Sequence, residues 1–85
     1  MIDVQLKAND YKPKEIIRII REWTELTQQD FAKSINRSSK TIEGYEYGKI
    51  NYNFDTFMKI CKKHGIEIII KKNNYLFLCE EKFNC

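Results

Sequence analysis

A chain of 85 residues is too short to divide its core between two units, so it folds as one. With 42% hydrophobic, 13% aromatic and 32% charged residues, it can bury a core without disulfides, and disorder is excluded as its overall state. The net charge of +3 favours a polyanionic partner only weakly, so the argument depends on where the cations fall.

No run approaches the roughly 18 to 20 apolar residues of a membrane span. The opening residues, MIDVQLKAND, lack the basic-then-apolar layout of a signal peptide. A cytoplasmic protein with no membrane partner is expected. The three cysteines, Cys61, Cys79 and Cys85, are odd in number and form no Cys-x-x-Cys pair. Neither a disulfide framework nor a metal site is expected, and no cofactor is implied.

In chain order, Ile2, Val4 and Leu6 alternate with polar residues and could line one face of a short N-terminal strand. Asn9, Asp10 and Lys12-Pro13 break that pattern, and Pro13 suits the first turn of a helix, where its missing N–H is no loss. From Lys14 the apolar residues Ile16, Ile19, Ile20, Trp23 and Leu26 recur at three and four, which predicts a first helix. Thr27 with Asp30 three residues on resembles a capping box. It opens a second helix from about Gln28 to Ile35 that buries Phe31, Ala32 and Ile35.

Asn36 tolerates the left-handed conformation that ends a helix, and Ser38 or Ser39 can cap the next one. The break is thus three or four residues, short enough to force the two helices to cross. The third helix, Ser39 to Tyr47, buries Ile42 and Tyr45 and stops at Gly48. Asn53 caps a fourth helix with Phe54, Phe57, Met58 and Cys61 on one stripe, ended by Gly65. Trp23, Tyr45, Phe54, Phe57 and Cys61 are expected in the core. His64 is expected as a helix C-terminal histidine favoured by the dipole.

Beyond Gly65, Ile66 to Ile70 and Tyr75 to Cys79 are apolar runs flanking Asn73-Asn74, which predicts a β-hairpin. Pairing across that turn puts Ile68, Ile70, Phe77 and Cys79 on one face and Ile69, Leu76 and Leu78 on the other. Both faces are apolar, so one needs a cover: the N-terminal strand, a loop or another subunit.

The stretch LTQQDFAKSINRSSKTIEGYEYGK, Leu26 to Lys49, resembles the helix-turn-helix of the Xre/Cro/cI family of phage repressors and bacterial regulators. The likeness rests on Leu26-Thr27-Gln28, Phe31-Ala32, Ile35, the serine-rich turn, Ile42-Glu43 and Tyr45-Glu46-Tyr47-Gly48-Lys49. It departs at Asn36, where the family often has Gly, and at Gly44 inside the third helix. The fold it implies is mainly α with a small β element: a lambda-repressor-like bundle of about four helices with a C-terminal β-hairpin and an N-terminal strand. Residues 1–12 would form the arm, 13–64 the helix-turn-helix domain, 65–79 the hairpin and 80–85 a tail.

The resemblance also implies roles. In a helix-turn-helix the second helix of the motif enters the major groove and the first rests on the phosphates. Ser39, Lys40 and Gly44 match the base-reading positions. Lys40 can donate to guanine O6 and N7, Ser39 can serve several bases, and Gly44, which cannot reach a base, would leave room for backbone approach or surrender one contact of the usual set. Thr27 and Gln28 match the phosphate-contacting start of the motif's first helix, and Arg37, Ser38, Thr41, Tyr47, Lys49 and Asn51 surround the reading helix with donors. Arg21 is expected to pair with Glu46. Outside such a motif Lys40, Arg37 and Lys49 would read as solvated cations.

The function so implied is a sequence-specific transcriptional regulator, a repressor bound as a homodimer to a palindromic operator in double-stranded DNA. Ile68, Ile69, Ile70, Leu76, Phe77 and Leu78 would serve dimerisation. Two alternatives stay open: an antitoxin, whose toxin would meet the terminal strands or Glu80-Glu81, and a protein-binding or inhibitor module that keeps the fold without reading DNA. No constellation of nucleophile, base and oxyanion site and no phosphate-binding glycine loop is present, so no enzyme is expected.

Overall fold

The computed structural model describes residues 4–72. It is mainly helical: a single 3-10 turn, Ala8–Asp10, precedes α1 (Pro13–Thr24), α2 (Gln28–Ser34), α3 (Ser39–Tyr47) and α4 (Phe54–Lys63). Among the described residues there is no strand. Val4 to Lys7 and Ile66 to Lys72 carry no regular structure. Ile2, the Asn73-Asn74 turn, Leu76, Phe77, Leu78, Cys79 and the Glu80-Glu81 tail lie outside the described residues. No helix among those described is long and apolar enough to cross a membrane.

Three of the four helices begin at a residue whose side chain satisfies an orphan backbone N–H. Thr27 Oγ1 accepts from the Asp30 amide at 3.1 Å, Ser38 Oγ from the Thr41 amide at 3.1 Å and Asn53 Oδ1 from the Thr56 amide at 2.7 Å. At α1 the carboxylate of Glu15 reaches back to the Lys12 amide at 2.8 Å, with Pro13 behind it.

Three helices end alike. Asn36, Gly48 and Gly65 take φ of 57°, 80° and 70°. The next amide then reaches back five residues: Arg37 to the Ala32 carbonyl at 2.8 Å, Lys49 to Gly44 at 2.9 Å and Ile66 to Cys61 at 2.8 Å. This is the Schellman closure, which turns the chain sharply and satisfies late carbonyls. It keeps the α2–α3 connection short.

Helices α1, α2 and α3 pack on one another, with α4 closing the core. Ile17 and Ile20 of α1, Phe31 and Ala32 of α2, Ile42 and Tyr45 of α3, and Ile60 and Cys61 of α4 form its centre. Leu26, Ile35, Phe57 and Ile66 pack around them. Burial raises the pKa of the Cys61 thiol, as befits a small apolar core residue.

Two helices are rotated from the expected stripes. In α1 the centre of the buried face is Ile17, and Trp23 is 38% exposed. At about 100° per residue, Arg21 and Thr24 lie on the same side as Ile17, while Trp23 lies on the opposite flank with Ile19. Turning the Arg21 edge inward, where it finds Glu46, carries Trp23 outward. In α4 the buried stripe is Phe57, Ile60 and Cys61, continued by His64, while Phe54 is 58% exposed and Met58 is also exposed. His64 holds the C-terminal end of this stripe against α2. Its ring stacks on Phe31 with centroids 5.1 Å apart, and its Nε2 lies 2.9 Å from Ser34 Oγ. Its pKa is lowered by burial and by neighbouring Lys63. The expected dipole-favoured cation is therefore replaced by a ring whose neutral form is preferred.

Candidate nucleic-acid interface

The candidate interface is built on α3. Its inward side is fixed by Ile42 and Tyr45, which are buried, and by Glu46, whose side chain is 2% exposed. Arg21 reaches Glu46 with two nitrogens, Nε donating to Oε2 at 2.5 Å and Nη2 to Oε1 at 3.1 Å. Its third nitrogen, Nη1, donates to the Leu26 carbonyl at 3.0 Å. Gln28 Nε2 adds a bond to Glu46 Oε1 at 3.2 Å, and Arg18 Nε stands 3.9 Å from the same oxygen. One carboxylate thus ties α1 and the start of α2 to α3, and Arg21 carries the link on to the α1–α2 loop. The hydrogen bond from Arg21 to Glu46 holds the guanidinium pKa above its ordinary value.

With that side fixed, Ser39, Lys40, Glu43 and Tyr47 are exposed. On a helix they occupy one arc of about 100°, since Ser39, Glu43 and Tyr47 follow at intervals of four and Lys40 sits beside Glu43. Arg37 and Ser38 precede this face, and Lys49 and Asn51 follow it, all exposed. Thr41 is half-buried, and its hydroxyl lies 3.0 Å from that of Ser38.

Gly44 is buried, away from that arc. A Cβ built there would stand 2.5 Å from Ile50 Cδ1, so the missing side chain is the space Ile50 fills. The Lys49 and Ile50 amides both bond the Gly44 carbonyl, at 2.9 and 3.1 Å, fastening the segment after α3 onto its side. The next turn is anchored by Tyr52. Its hydroxyl donates to the Pro13 carbonyl, and its ring lies edge-on to Tyr45 at 5.3 Å and stacks on Phe57 at 5.8 Å. Burial pushes the Tyr52 phenol up to about 12. It stays a donor across the physiological range.

Ser39, Lys40, Arg37, Ser38, Thr41, Tyr47, Lys49 and Asn51 are therefore gathered on α3 and its two flanking turns. Thr27 and Gln28 belong to the start of α2. The Thr27 hydroxyl is exposed and retains its proton for donation, while the Gln28 amide is turned inward to Glu46. Two residues to which the sequence had assigned no contact role join the group. Glu43 stands among the exposed α3 residues, and the stem of Lys14 passes over Gly48, with its Cδ 3.2 Å from where a Cβ there would lie. Among the described residues no group of three or more His, Cys, Asp or Glu side chains could hold a metal ion.

No protein-family model matches the chain, nor does any curated protein or solved structure.

Proposed function

We propose that the chain is a sequence-specific DNA-binding transcriptional regulator, a repressor that binds a palindromic operator as a homodimer. The observation that carries this reading is the pairing of α2 and α3 across the turn at Asn36 to Ser38, with α3 offering a polar face between the cations Arg37 and Lys49. A helix held this way fits the major groove, which is about 12 Å wide. Lys40 donates to guanine and Ser39 to a neighbouring base edge. Arg37, Ser38, Thr41, Tyr47, Lys49, Asn51 and Thr27 fix register on the phosphates. Gly44, covered by Ile50, is given no base contact.

Selection from a random duplex library tests the reading. Enrichment of a palindrome with half-sites about 34 Å apart is expected, with affinity that falls steeply with salt and drops at least about fivefold on Lys40→Ala. Failure to enrich any palindrome, or affinity indifferent to Lys40→Ala, refutes it. One observation favours a protein partner as a second reading, such as the toxin of a toxin–antitoxin pair: Ile69 and Ile70 are exposed beyond the helical core. Pull-down from the native host that recovers a neighbouring gene product, with no duplex enriched, would favour it.

A further inference from the structure

Two acids lie on α3, and they are treated oppositely. Glu46 is buried and accepts from Arg21 and Gln28. Glu43 is exposed and forms no hydrogen bond or ion pair among the described residues. At about 100° per residue, Glu43 falls within about 60° of Ser39, Lys40 and Tyr47. It is the middle of the exposed face, and its side chain points the same way as theirs.

A free carboxylate at the centre of a surface that meets phosphates lowers affinity for every duplex, because its charge repels the backbone. It can recover that loss only from a donor on a base edge. In the major groove, guanine shows the acceptors N7 and O6, and thymine shows the acceptor O4. Adenine offers its N6 amine beside the acceptor N7, so a carboxylate that reaches the amine also meets a lone pair. Cytosine offers its N4 amine with an acceptor, the O6 of its paired guanine, on one side only, whereas adenine's amine lies between its own N7 and the O4 of thymine. The buried position of Gly44 removes the competing contact from the next residue along.

We propose that Glu43 is the specificity-determining residue of α3, accepting from the N4 amine of a cytosine in each half-site. Lys40 precedes it by three residues, a rise of about 4.5 Å along the helix. That matches one to two base-pair steps of about 3.4 Å. The half-site therefore carries a guanine read by Lys40 and a cytosine read by Glu43 no more than about two base pairs apart. This inference rests on the DNA-binding reading above. It adds an acid that selects by excluding the other three bases.

The test is duplex selection with the wild-type chain, Glu43→Ala and Glu43→Gln, all checked for helicity by circular dichroism. Both substitutions are at an exposed helical position, so the fold is kept. The wild type is expected to enrich a palindrome with a fixed cytosine. Glu43→Ala should keep the rest of the half-site but accept all four bases there, losing about tenfold discrimination while binding random duplex more tightly. Glu43→Gln should shift the preference from cytosine towards adenine, whose N6 and N7 suit a side-chain amide. A palindrome enriched identically by wild type and Glu43→Ala overturns the role of Glu43 and leaves the DNA reading standing. No palindrome enriched by the wild type overturns both.

Discussion

A carboxylate buried as deeply as Glu46 is costly unless donors fill its oxygens. Arg21 and Gln28 supply those donors, and because Arg21 is held at two nitrogens its planar fork leaves little freedom for α1 to turn relative to α3. The pair sets orientation, and the apolar core supplies most of the stability. A second polar contact, between Ser34 and His64, responds to pH. Burial against Phe31 and the charge of Lys63 lower the His64 pKa below its ordinary 6.5. The unfolded chain therefore binds the proton more readily, so stability is complete above about pH 6.5 and declines as pH falls through that value towards the folded-state pKa. Thermal unfolding at pH 7.5 and 5.5 should show a larger loss on acidification for the wild type than for His64→Gln, which keeps a partner for Ser34 and cannot titrate. An equal loss in both proteins would remove His64 as the cause.

At the scale of elements, the caps and closures decide where helices begin and end, and their contributions are separable. Gly48 closes α3 with φ of 80°, a conformation that an L side chain adopts at a cost of about 1 kcal/mol. Gly44 lies inside α3, where alanine gains about 1 kcal/mol of helix propensity but must displace Ile50. Gly48→Ala is thus expected to lower stability by about 1 kcal/mol, and Gly44→Ala to change it by less because its two effects oppose. Urea midpoints at constant slope measure both; a Gly48→Ala midpoint equal to wild type would mean that the left-handed closure contributes nothing. These terminal signals were the most readable part of the chain. Thr27, Ser38 and Asn53 as caps, and Asn36, Gly48 and Gly65 as stops, act through their own local chemistry, so the four helices were legible from the sequence. Rotation was less so. The broad apolar arcs of α1 and α4 allow several orientations, and the choice falls to contacts across the fold, among them Arg21 with Glu46 and His64 with Phe31, residues at least 25 positions apart. On α3 the exposed face followed from the helix phase, but Gly44 did not: its burial depends on Ile50 folding back after Gly48, which no periodicity within the helix reveals.

For the whole molecule, the proposed DNA-binding reading gives one α3 face only a few base pairs to touch, so on that reading tight binding requires two copies placed in register. The covering surface for a second copy is sought where apolar side chains lie outside the helical core. Exposure climbs along the chain after Ile66, from 37% at Ile68 to 64% at Ile69 and 87% at Ile70. We propose that this run forms the dimer contact, since a symmetric interface uses the same patch on both copies. Light scattering should then report a dimer at micromolar concentration for the wild type and a monomer for Ile69→Asp, because pairing two such chains would bury two unpaired carboxylates. The variant should keep wild-type affinity for an isolated half-site, since α3 is untouched, and lose its preference for the palindrome. A wild-type monomer, or an Ile69→Asp protein that stays dimeric and still prefers the palindrome, would place the interface elsewhere or remove it.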